Sequence, residues 1–400
     1  MNTSFLHKAF LQHQRVFVRA DLNVPINEQG SIKNDKRLKA ILPTINYIQK
    51  HGGKVILATH IGRPLNNHLE HHLSTRNLIP WFESQGFRVD FQPDLLEAQK
   101  NSYLNPEHIM MLENLRFFLG EKNYSMPFAE LLSNVADIYV NDAFGTMHRN
   151  DTSVSILPQF FLPHNRGWGL LVEAELQALE SLHDAPKQPC MLVLGGAKVS
   201  DKIPLIKNFL LHTTPPTAIM LGGKIALPFL AMQGFNLGCS KPKQEDLSAA
   251  REVLALLTQT SLVLPVDLTV CSNPSAPENA QTKNITDLAE DDVVIDIGAK
   301  TVQLFVEKLS TTKTVFVNGT MGINETIYDS EGTTKLLQAI AALSAMKIIG
   351  GGDCGAAVEK LGLTNQMTFV STGGGATLAY LGCENPWAIL PGLKALGPAA

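Results

Sequence analysis

The feature of this sequence that most constrains its fold is a recurring unit: a short apolar run, then glycine or polar residues, then a helical stretch. The first half contains four such runs, including R-V-F-V-R-A-D-L-N-V-P and K-V-I-L-A-T-H-I-G-R-P. The second half contains five, including M-L-V-L-G-G-A-K and K-I-I-G-G-G-D-C-G. Runs that are apolar on both faces are typical of strands in a covered parallel sheet. Their alternation with helical stretches predicts an α/β doubly wound fold.

The length of 400 residues is enough for two domains, and the sequence changes character near residues 162–186. L-P-H-N-R-G-W-G predicts a loop, and L-L-V-E-A-E-L-Q-A-L-E-S-L-H has apolar residues at helical spacing. D-A-P-K-Q-P then interrupts the chain before the next strand. We therefore expect a lobe at 1–165, a hinge loop and helix at 166–186, a second lobe at 187–385, and a tail at 386–400 that packs back near the first lobe.

Composition argues against several classes of protein. With 33 basic and 37 acidic residues the net charge is −4, which does not suit a nucleic-acid binder. No apolar run approaches the ~18 residues that span a bilayer, so we expect no membrane contact. The five cysteines are scattered, without a C-x-x-C pair, and the N-terminal segment lacks the apolar core of a signal peptide. These features predict a cytoplasmic location.

Arginine and glycine are distributed unequally along the chain. Nine of the ten arginines precede residue 167, whereas 23 of the 30 glycines lie at or after it. Arginine offers a fixed fork of donors that matches anions with several oxygens, and glycine lets backbone N–H groups approach a phosphate closely. The asymmetry therefore indicates a small anionic substrate on the first half and a nucleotide on the second, although drift in composition would give the same counts.

Ligands of an open parallel sheet bind beyond the carboxyl ends of its strands, and the first half places charged and polar side chains there. These side chains are Arg19, Asp21, Asn23, His60, Arg63, Arg116, His148 and Arg149, with Arg37 opening the next helix. Surface ion pairs with Asp21, Glu113 or Asp142 would explain any one arginine. Because burying several unpaired guanidinium groups is costly, we interpret the whole set as an anion site.

The strand ends of the second half are rich in glycine. G-G-G-D-C-G at 350–355 matches the dinucleotide pattern G-x-G-x-x-G, but the next strand ends without the acidic residue that binds ribose hydroxyls. The helix after Asp353 would instead present N–H groups to phosphate, and the Asp353 carboxylate suits Mg²⁺. S-T-G-G-G at 371–375 offers a second such helix start, or simply a tight turn. Glu325, which follows N-G-T-M-G-I-N, is a candidate for binding the ribose hydroxyls.

The stretch G-G-A-K-V-S-D-K places Lys198 and Lys202 four residues apart after a predicted strand. At the start of a helix, residues with this spacing share a face. Two ammonium groups on one face repel each other unless a multiply charged anion, such as a transferring phosphoryl group, lies between them. The alternative is a pair of solvated surface lysines, against which the preceding Gly-Gly argues.

Taken in order, these segments closely resemble the phosphoglycerate kinase family. The matching motifs are V-R-A-D-L-N-V-P, R-L-K-A-I-L-P-T-I, H-I-G-R-P, L-E-N-L-R-F, Y-V-N-D-A-F-G-T-M-H-R, G-G-A-K-V-S-D-K, N-G-T-M-G-I-N-E, I-G-G-G-D-C-G-A-A-V-E-K-L-G and S-T-G-G-G-A-T-L. The resemblance implies a monomer of two Rossmann-like doubly wound parallel-sheet lobes joined by a hinge helix. It also implies reversible phosphate transfer between 1,3-bisphosphoglycerate and ADP, giving 3-phosphoglycerate and ATP, with Mg²⁺.

The same resemblance assigns roles to individual residues by motif. The residues that would hold the phosphoglycerate are Asp21, Asn23, Arg37, His60, Arg63, Arg116 and Arg149. Those that would serve the nucleotide are Gly195, Gly196, Lys202, Gly222, Gly223, Asn318, Glu325, Gly351, Gly352, Asp353 and Cys354, with Asp353 holding Mg²⁺. Those that would surround the migrating phosphoryl group are Arg37, Lys198 and Lys202, beside a helix start at Gly373 and Gly374.

The nucleotide side departs from the family's usual pattern at five positions. They are Val317, Thr320, Lys224, Pro228 and Cys354. We expect them to affect nucleotide affinity or preference, since Cys354, for one, replaces a threonine and so removes a hydroxyl near phosphate or metal. Two other functions remain as alternatives: an NAD(P)-linked oxidoreductase that uses residues 350–355, and a degenerate, non-catalytic kinase that binds a partner.

Overall fold

The structure is a computed structural model that describes residues 5–27, 30–64, 70–184, 186–323 and 329–397. The chain divides into two units, which we call the first lobe (Met1–Gln177 with Asn385–Ala400) and the second lobe (Ala178–Glu384). Each is built around a six-stranded parallel sheet, which confirms the predicted α/β fold of two parallel-sheet lobes. Among the described residues, no helix is long and apolar enough to cross a bilayer.

The first lobe has the strand order β3-β4-β2-β1-β5-β6, with every neighbouring pair parallel. Its strands are β1 Arg15–Ala20, β2 Lys54–Ala58, β3 Val89–Gln92, β4 Ile109–Leu112, β5 Ile138–Asp142 and β6 Arg166–Trp168. Its helices are α1 Phe5–Lys8, α2 Lys36–Lys50, α3 Ile79–Ser84, α4 Leu95–Asn101, α5 Met126–Ser133, α6 Thr152–Ser155 and the start of α7 Leu170–His183.

The four inner strands of this sheet are the four apolar runs seen in the sequence, and every residue in them is buried. The two edge strands carry weaker signals. In β3 all four residues are only half-buried, and β6 is three residues long. The prediction that L-P-H-N-R-G-W-G forms a loop is therefore wrong for Arg166–Trp168, because pairing with β5 extends this segment although its sequence has no apolar run.

The second lobe has the strand order β15-β14-β13-β7-β8-β9 in its parallel sheet and β11-β10-β12 in a smaller antiparallel sheet. Its strands are β7 Cys190–Leu194, β8 Ala218–Leu221, β9 Ser261–Val263, β10 Asp267–Cys271, β11 Gln281–Asn284, β12 Val293–Ile297, β13 Thr314–Asn318, β14 Met346–Gly350 and β15 Phe369–Val370. Its helices are α8 Ile203–Leu211, α9 Gly223–Met232, α10 Gln244–Leu256, α11 Ala299–Leu309, α12 Glu331–Ala341, α13 Gly352–Lys360 and α14 Gly375–Leu381.

The boundary between the lobes falls inside α7, after Gln177. Helix α7 buries Val172, Leu176, Leu179 and Leu182, which are three or four residues apart and so lie on one face. A role for this helix as a hinge stays a prediction. The tail helices α15 Pro386–Ile389 and α16 Pro391–Leu396 belong to the first lobe, where α16 packs on α6.

Asp142, at the end of β5, caps the first turn of α7 and forms no arginine pair in the described structure. Its Oδ2 accepts a hydrogen bond from Thr44 Oγ1 at 2.6 Å, and its Oδ1 accepts one from the backbone N–H of Val172 at 3.0 Å. Burial raises the pKa of this carboxyl from 3.8 to about 7, although these hydrogen bonds oppose the shift. The suggestion that Asp142 pairs with a strand-end arginine is therefore wrong.

This burial predicts a pH effect on stability that an Asp142→Asn variant isolates. A raised pKa in the folded state means that the stabilising contribution of the protonated carboxyl is complete below pH 3.8 and is lost as the pH rises to about 7. Asparagine cannot ionise. We therefore expect the variant's free energy of unfolding, relative to the parent chain, to increase by about 1.4 kcal/mol per pH unit over this window. Chemical unfolding at several pH values measures it.

Asp137 provides the matched control, because its pKa is shifted in the opposite direction. Partial burial raises the pKa of this carboxyl, but hydrogen bonds and the charge of Arg15 outweigh burial and lower it below 3.8. An Asp137→Asn variant should therefore lose stability relative to the parent chain as the pH rises toward 3.8, and the difference should stay constant above that pH, across the window in which Asp142→Asn changes. A pH-independent difference between the parent chain and Asp142→Asn would contradict the prediction.

Candidate functional site

The carboxyl ends of the first lobe's strands bring two arginines against one histidine. Arg19 Nη2 lies 3.2 Å from His60 Nδ1, and Arg149 Nη1 lies 3.3 Å from His60 Nε2. Arg19 is fully buried, where its Nε donates to Ser153 Oγ at 2.8 Å and its Nη2 lies 3.9 Å from Glu121 Oε1. The histidine is thus held between one buried and one half-buried guanidinium.

His60 is neutral in this setting. Burial lowers its pKa well below 6.5, and the charges of Arg19, Arg116, Arg149 and Arg37 lower it further. A neutral imidazole has one acceptor nitrogen, and the fully buried Arg19 needs it most, so Nδ1 accepts and Nε2 carries the hydrogen. The Nε2–H of His60 and the guanidinium of Arg149 then converge as two donors. This pair is suited to bind one oxygen of an anion.

Arg37 is positioned by the loop that follows β1. Its Nη1 donates to Asp21 Oδ1 at 2.8 Å and to the backbone oxygen of Asn23 at 3.3 Å. The Asn23 side chain accepts a hydrogen bond from the backbone N–H of Gly62 at 2.8 Å, which ties this loop to the one after β2. The Arg37 side chain remains 37% exposed, so its other donors can reach a ligand.

A cavity of about 230 Å³ lies beside this cluster and is lined by Arg63, Pro64, Arg116 and Lys122. Arg116 donates to the backbone oxygen of Gly62, while its buried Nε has no hydrogen-bond partner among the described residues. Three cationic side chains around a small cavity favour an anion such as a phosphate.

Two residues of this cluster were missed by the sequence reasoning. Lys122 lines the cavity, and its Nζ lies 2.7 Å from Oδ1 of the buried Asp151, whose Oδ2 lies 3.8 Å from Arg116 Nη2. Neither directly follows a strand. The signal for Asp151 was its place two residues after Arg149, whereas nothing in the pattern around Lys122 distinguished it.

The suggested surface ion pairs explain little of the arginine set. Within the described ranges, Asp21 is the only one of the three suggested carboxylates that pairs with an arginine, namely Arg37. Glu113 accepts hydrogen bonds from Ser74 Oγ at 2.8 Å and from the backbone N–H of Thr75 at 3.0 Å. The structure therefore brings together the predicted substrate residues of the first lobe, with Arg63 and Arg116 at the cavity and the others joined by hydrogen bonds or charge.

In the second lobe, glycine turns meet at the carboxyl ends of β7, β8 and β13. The backbone N–H of Gly195 donates to the oxygen of Asn318 at 2.9 Å, that of Gly196 to the oxygen of Thr320 at 2.7 Å, and that of Gly223 to the oxygen of Met321 at 2.8 Å. A Cβ on Gly195 would collide with the Thr320 carbonyl. Glycine is required there because the backbones approach so closely.

Further predicted nucleotide residues border these turns. Gly222 precedes α9, and Gly351 precedes α13, whose first turn contains Gly352, Asp353 and Cys354. The buried Nδ2 of Asn318 has no hydrogen-bond partner in the described part of the chain. Glu325 lies outside the described residues. The first-turn N–H groups of α13 are therefore placed beside the glycine turns, as a phosphate site requires.

Lys198 and Lys202 differ from what the spacing predicted. Helix α8 begins at Ile203, so both lysines precede it, and the prediction that they share a helix face is wrong. Pro204 in the first turn fits this late start. Lys202 is buried while Lys198 is exposed. Burial lowers the pKa of Lys202, against the charges of Asp201 and Asp353, and the charge of Lys198 lowers it further.

The S-T-G-G-G segment forms a turn into α14, which packs on α8. The backbone N–H of Gly373 donates to Ser371 Oγ at 3.1 Å, and Ser371 Oγ lies 2.7 Å from Thr377 Oγ1. Gly374 has φ of 52°, which favours glycine. The N–H groups of the first turn of α14 follow directly after this glycine turn.

The departures from the family pattern are mostly buried. Val317 and Cys354 belong to the apolar core of the second lobe, and Pro228 is buried inside α9. Thr320 is 8% exposed, and Lys224 is exposed in the first turn of α9. Burial raises the pKa of the Cys354 thiol to about 12. Its side chain therefore points into the core, and only the backbone at this position is available to a phosphate.

Replacing Cys354 by threonine is expected to leave nucleotide affinity within about twofold of the parent value, because the side chain is fully buried. The added hydroxyl should instead lower thermal stability slightly, since it enters an apolar cluster. Isothermal titration with ADP and a thermal melt measure the two effects. A tenfold change in nucleotide affinity would show that the side chain does reach the nucleotide.

Comparison with known proteins gives the same result along nearly the whole chain. The family model described as Phosphoglycerate kinase matches residues 6–384. The phosphoglycerate kinase of Bdellovibrio bacteriovorus is 38% identical over 388 residues, covering 95% of this chain and 94% of that protein. That of Roseiflexus sp. is 37% identical over 395 residues, covering 96% and 97%. The solved phosphoglycerate kinase from Coxiella burnetii has a TM-score of 0.85 at 33% identity, covering 99% of this chain and 98% of that one.

These matches support neither an NAD(P)-linked oxidoreductase nor a non-catalytic binding protein. The missing ribose acid after residues 350–355 had already counted against the first of these. Because the family model and both relatives extend over nearly the whole sequence, the resemblance is confirmed, and the chain belongs to the phosphoglycerate kinase family.

Proposed function

We propose that the arginine cluster of the first lobe binds the phosphoglycerate and that the glycine turns of the second lobe bind ATP or ADP. The observation that carries this assignment is the contact of Arg19 and Arg149 with the two ring nitrogens of His60, beside a cavity lined by Arg63 and Arg116. The reaction is the family's transfer of phosphate between 1,3-bisphosphoglycerate and ADP, which makes the chain a phosphotransferase.

Within the first lobe the roles divide by geometry. The donors on His60 and Arg149 suit a carboxylate or hydroxyl oxygen of the substrate, while Arg63 and Arg116 suit its phosphate, with Lys122 added to the predicted set. Asp21 and Asn23 act through Arg37 and the neighbouring loop, whose position they fix. Arg37 thereby keeps donors available for the migrating phosphoryl group.

Within the second lobe the backbone is proposed to do most of the binding. The turns at Gly195–Gly196 and Gly222–Gly223, with Asn318, would contact the nucleotide, and the first turn of α13 would hold its phosphates. Lys202 and Lys198 would stabilise the charge on the migrating group, with the backbone of Gly373 and Gly374 beside it. Ribose binding by Glu325 stays a prediction.

Asp353 fits the requirements of a Mg²⁺ that accompanies the nucleotide. It is exposed in the first turn of α13, and the described residues contain no group of three or more potential ligand side chains that would hold a metal alone. Mg²⁺ prefers one or two carboxylates together with substrate phosphate oxygens. When bound there, it would neutralise phosphate charge.

The reaction requires the protein to position the substrates and to supply positive charge, and it does not require a general base. The acceptor is a carboxylate, which is already ionised at neutral pH. Catalysis then consists of aligning the two reacting oxygens and stabilising the transferred group with fixed positive charge. The reaction requires both substrates to meet and water to be excluded, so we include hinge closure in the proposal. A monomeric, cytoplasmic enzyme is part of the same proposal.

A coupled assay with ATP or GTP, in the presence and absence of 3-phosphoglycerate, tests this function. We expect nucleotide turnover that depends on both 3-phosphoglycerate and Mg²⁺. Titration with NADH should leave the nicotinamide fluorescence unchanged. Turnover that does not depend on 3-phosphoglycerate, or no turnover by the folded chain, would contradict the proposal.

A further inference from the structure

A second cavity of the first lobe lies between the tail helices and the segment that follows Arg149. Its volume is about 640 Å³, and its lining includes Tyr124, Asn150, Arg166 and Lys394. This volume is in the range of about 300–1,000 Å³ that small-molecule sites occupy. None of its lining residues belongs to the sets proposed above for phosphoglycerate or nucleotide.

The charge of this cavity is positive and uncompensated. Arg166 and Lys394 both line it, whereas no aspartate or glutamate among the described residues does. Neither cation forms an ion pair with a carboxylate in the described ranges of the chain. Asn150 adds a side-chain amide that can donate a hydrogen bond. Two unpaired cations beside an amide in one concave site attract anions.

The guanidinium of Arg166 is fixed in place with one donor unused. Its Nη1 donates to the backbone oxygen of Pro158 at 3.2 Å and lies 3.4 Å from that of Phe161. Its Nε is buried and has no hydrogen-bond partner in the described part of the molecule. Because Arg166 lines the cavity, the guanidinium donors that are not buried can bind an anionic ligand there.

Exposed apolar groups complete the lining. Tyr124 is 57% exposed and Ile389 is 63% exposed, although both are large hydrophobic side chains. We infer that this cavity binds a small multivalent anion, either an organic carboxylate or a phosphate, with its charge at Arg166 and Lys394 and its carbon skeleton against Tyr124 and Ile389.

Methyl NMR of the full chain, with carbon-13 in the isoleucine δ1 methyl groups, tests this site separately from the arginine cluster. Ile389 lines the cavity, and Ile61 lies between His60 and Gly62 in the cluster, so each methyl group is a local reporter. Citrate and inorganic phosphate are titrated in separate experiments. We expect a saturable shift of the Ile389 signal with an apparent Kd below about 1 mM for one or both anions.

The variants are chosen so that the chain stays folded. Lys394 is exposed, so Lys394→Gln removes a charge without opening the core, and it should weaken binding at Ile389 by about tenfold. Lys394→Arg should keep the affinity, as should the control Lys50→Gln, which removes an exposed lysine at the end of α2. Saturation with citrate alone would support an organic carboxylate site, and saturation with phosphate alone an oxyanion site. The proposal is overturned if only Ile61 responds, or if Lys394→Gln binds as the parent chain does.

Discussion

Replacing Lys202 by alanine is expected to lower the turnover number by about 10²- to 10³-fold, the usual effect of removing one donor to a developing negative charge. Lys202 is 9% exposed, so its ammonium would be poorly hydrated and would interact strongly with a phosphoryl group bound beside it. Nucleotide affinity should change much less, since the backbone turns supply most of the proposed contacts. The coupled assay at saturating substrate concentrations, together with titration of ADP, separates the two quantities.

Lys207 supplies the matched control for this experiment. It lies one turn into α8, and its exposed ammonium pairs with Glu252 at 2.8 Å. Lys207→Ala should leave the turnover number unchanged, because Lys207 belongs to neither proposed site, and it should change stability little, because exposed ion pairs contribute little to it. If Lys202→Ala also turned over at a normal rate, Lys202 would have no part in the transfer.

Replacing Arg37 by alanine is expected to lower the turnover number by about 10²-fold. Asp21 and the backbone of Asn23 hold its guanidinium in place, so the donors that remain are already oriented for a ligand. Alanine removes these donors and leaves Asp21, whose side chain is 10% exposed, without its partner. The effect should appear mainly in kcat measured with saturating 3-phosphoglycerate.

Arg76 is the corresponding control, since its guanidinium stacks on the Phe91 ring at 4.5 Å and it belongs to neither proposed site. Arg76→Ala should change stability slightly and the turnover number not at all. If both Arg37→Ala and Lys202→Ala had normal activity, the proposal that fixed positive charges stabilise the transferred phosphoryl group would be rejected.

The sequence predicted the central strands and the convergence of polar residues at their ends in the first lobe because one physical pattern determines both. Strands buried on both faces are continuous apolar runs, and in a parallel sheet their carboxyl ends meet at one edge. The polar residues after β1, β2, β4 and β5 therefore had to converge. His60, Arg116 and Arg149 were assigned by this rule, and the structure brings them together.

The features that the sequence did not predict depend on contacts distant in sequence. Strand β6 and the antiparallel sheet of β10, β11 and β12 are formed by pairing, and β11 reads only Q-T-K-N. Lys122 reaches the cavity because Asp151, 29 residues later, fixes its side chain. The prediction that Lys198 and Lys202 share a helix face was wrong because residue spacing alone does not tell where a helix begins. Helix α8 begins after both lysines.

The packing of the tail on the first lobe affects the order in which the two lobes complete their folding during synthesis. Trp387 packs against Trp168 with ring centroids 5.4 Å apart, and the N–H of Gly392 donates to the oxygen of Met147 at 2.9 Å. The first lobe thus acquires some of its final partners from residues that are translated after the whole second lobe. During synthesis by the ribosome, the sequence of the second lobe is complete while the first lobe still lacks its tail helices. The first lobe therefore completes its native packing only after the second lobe has been synthesised.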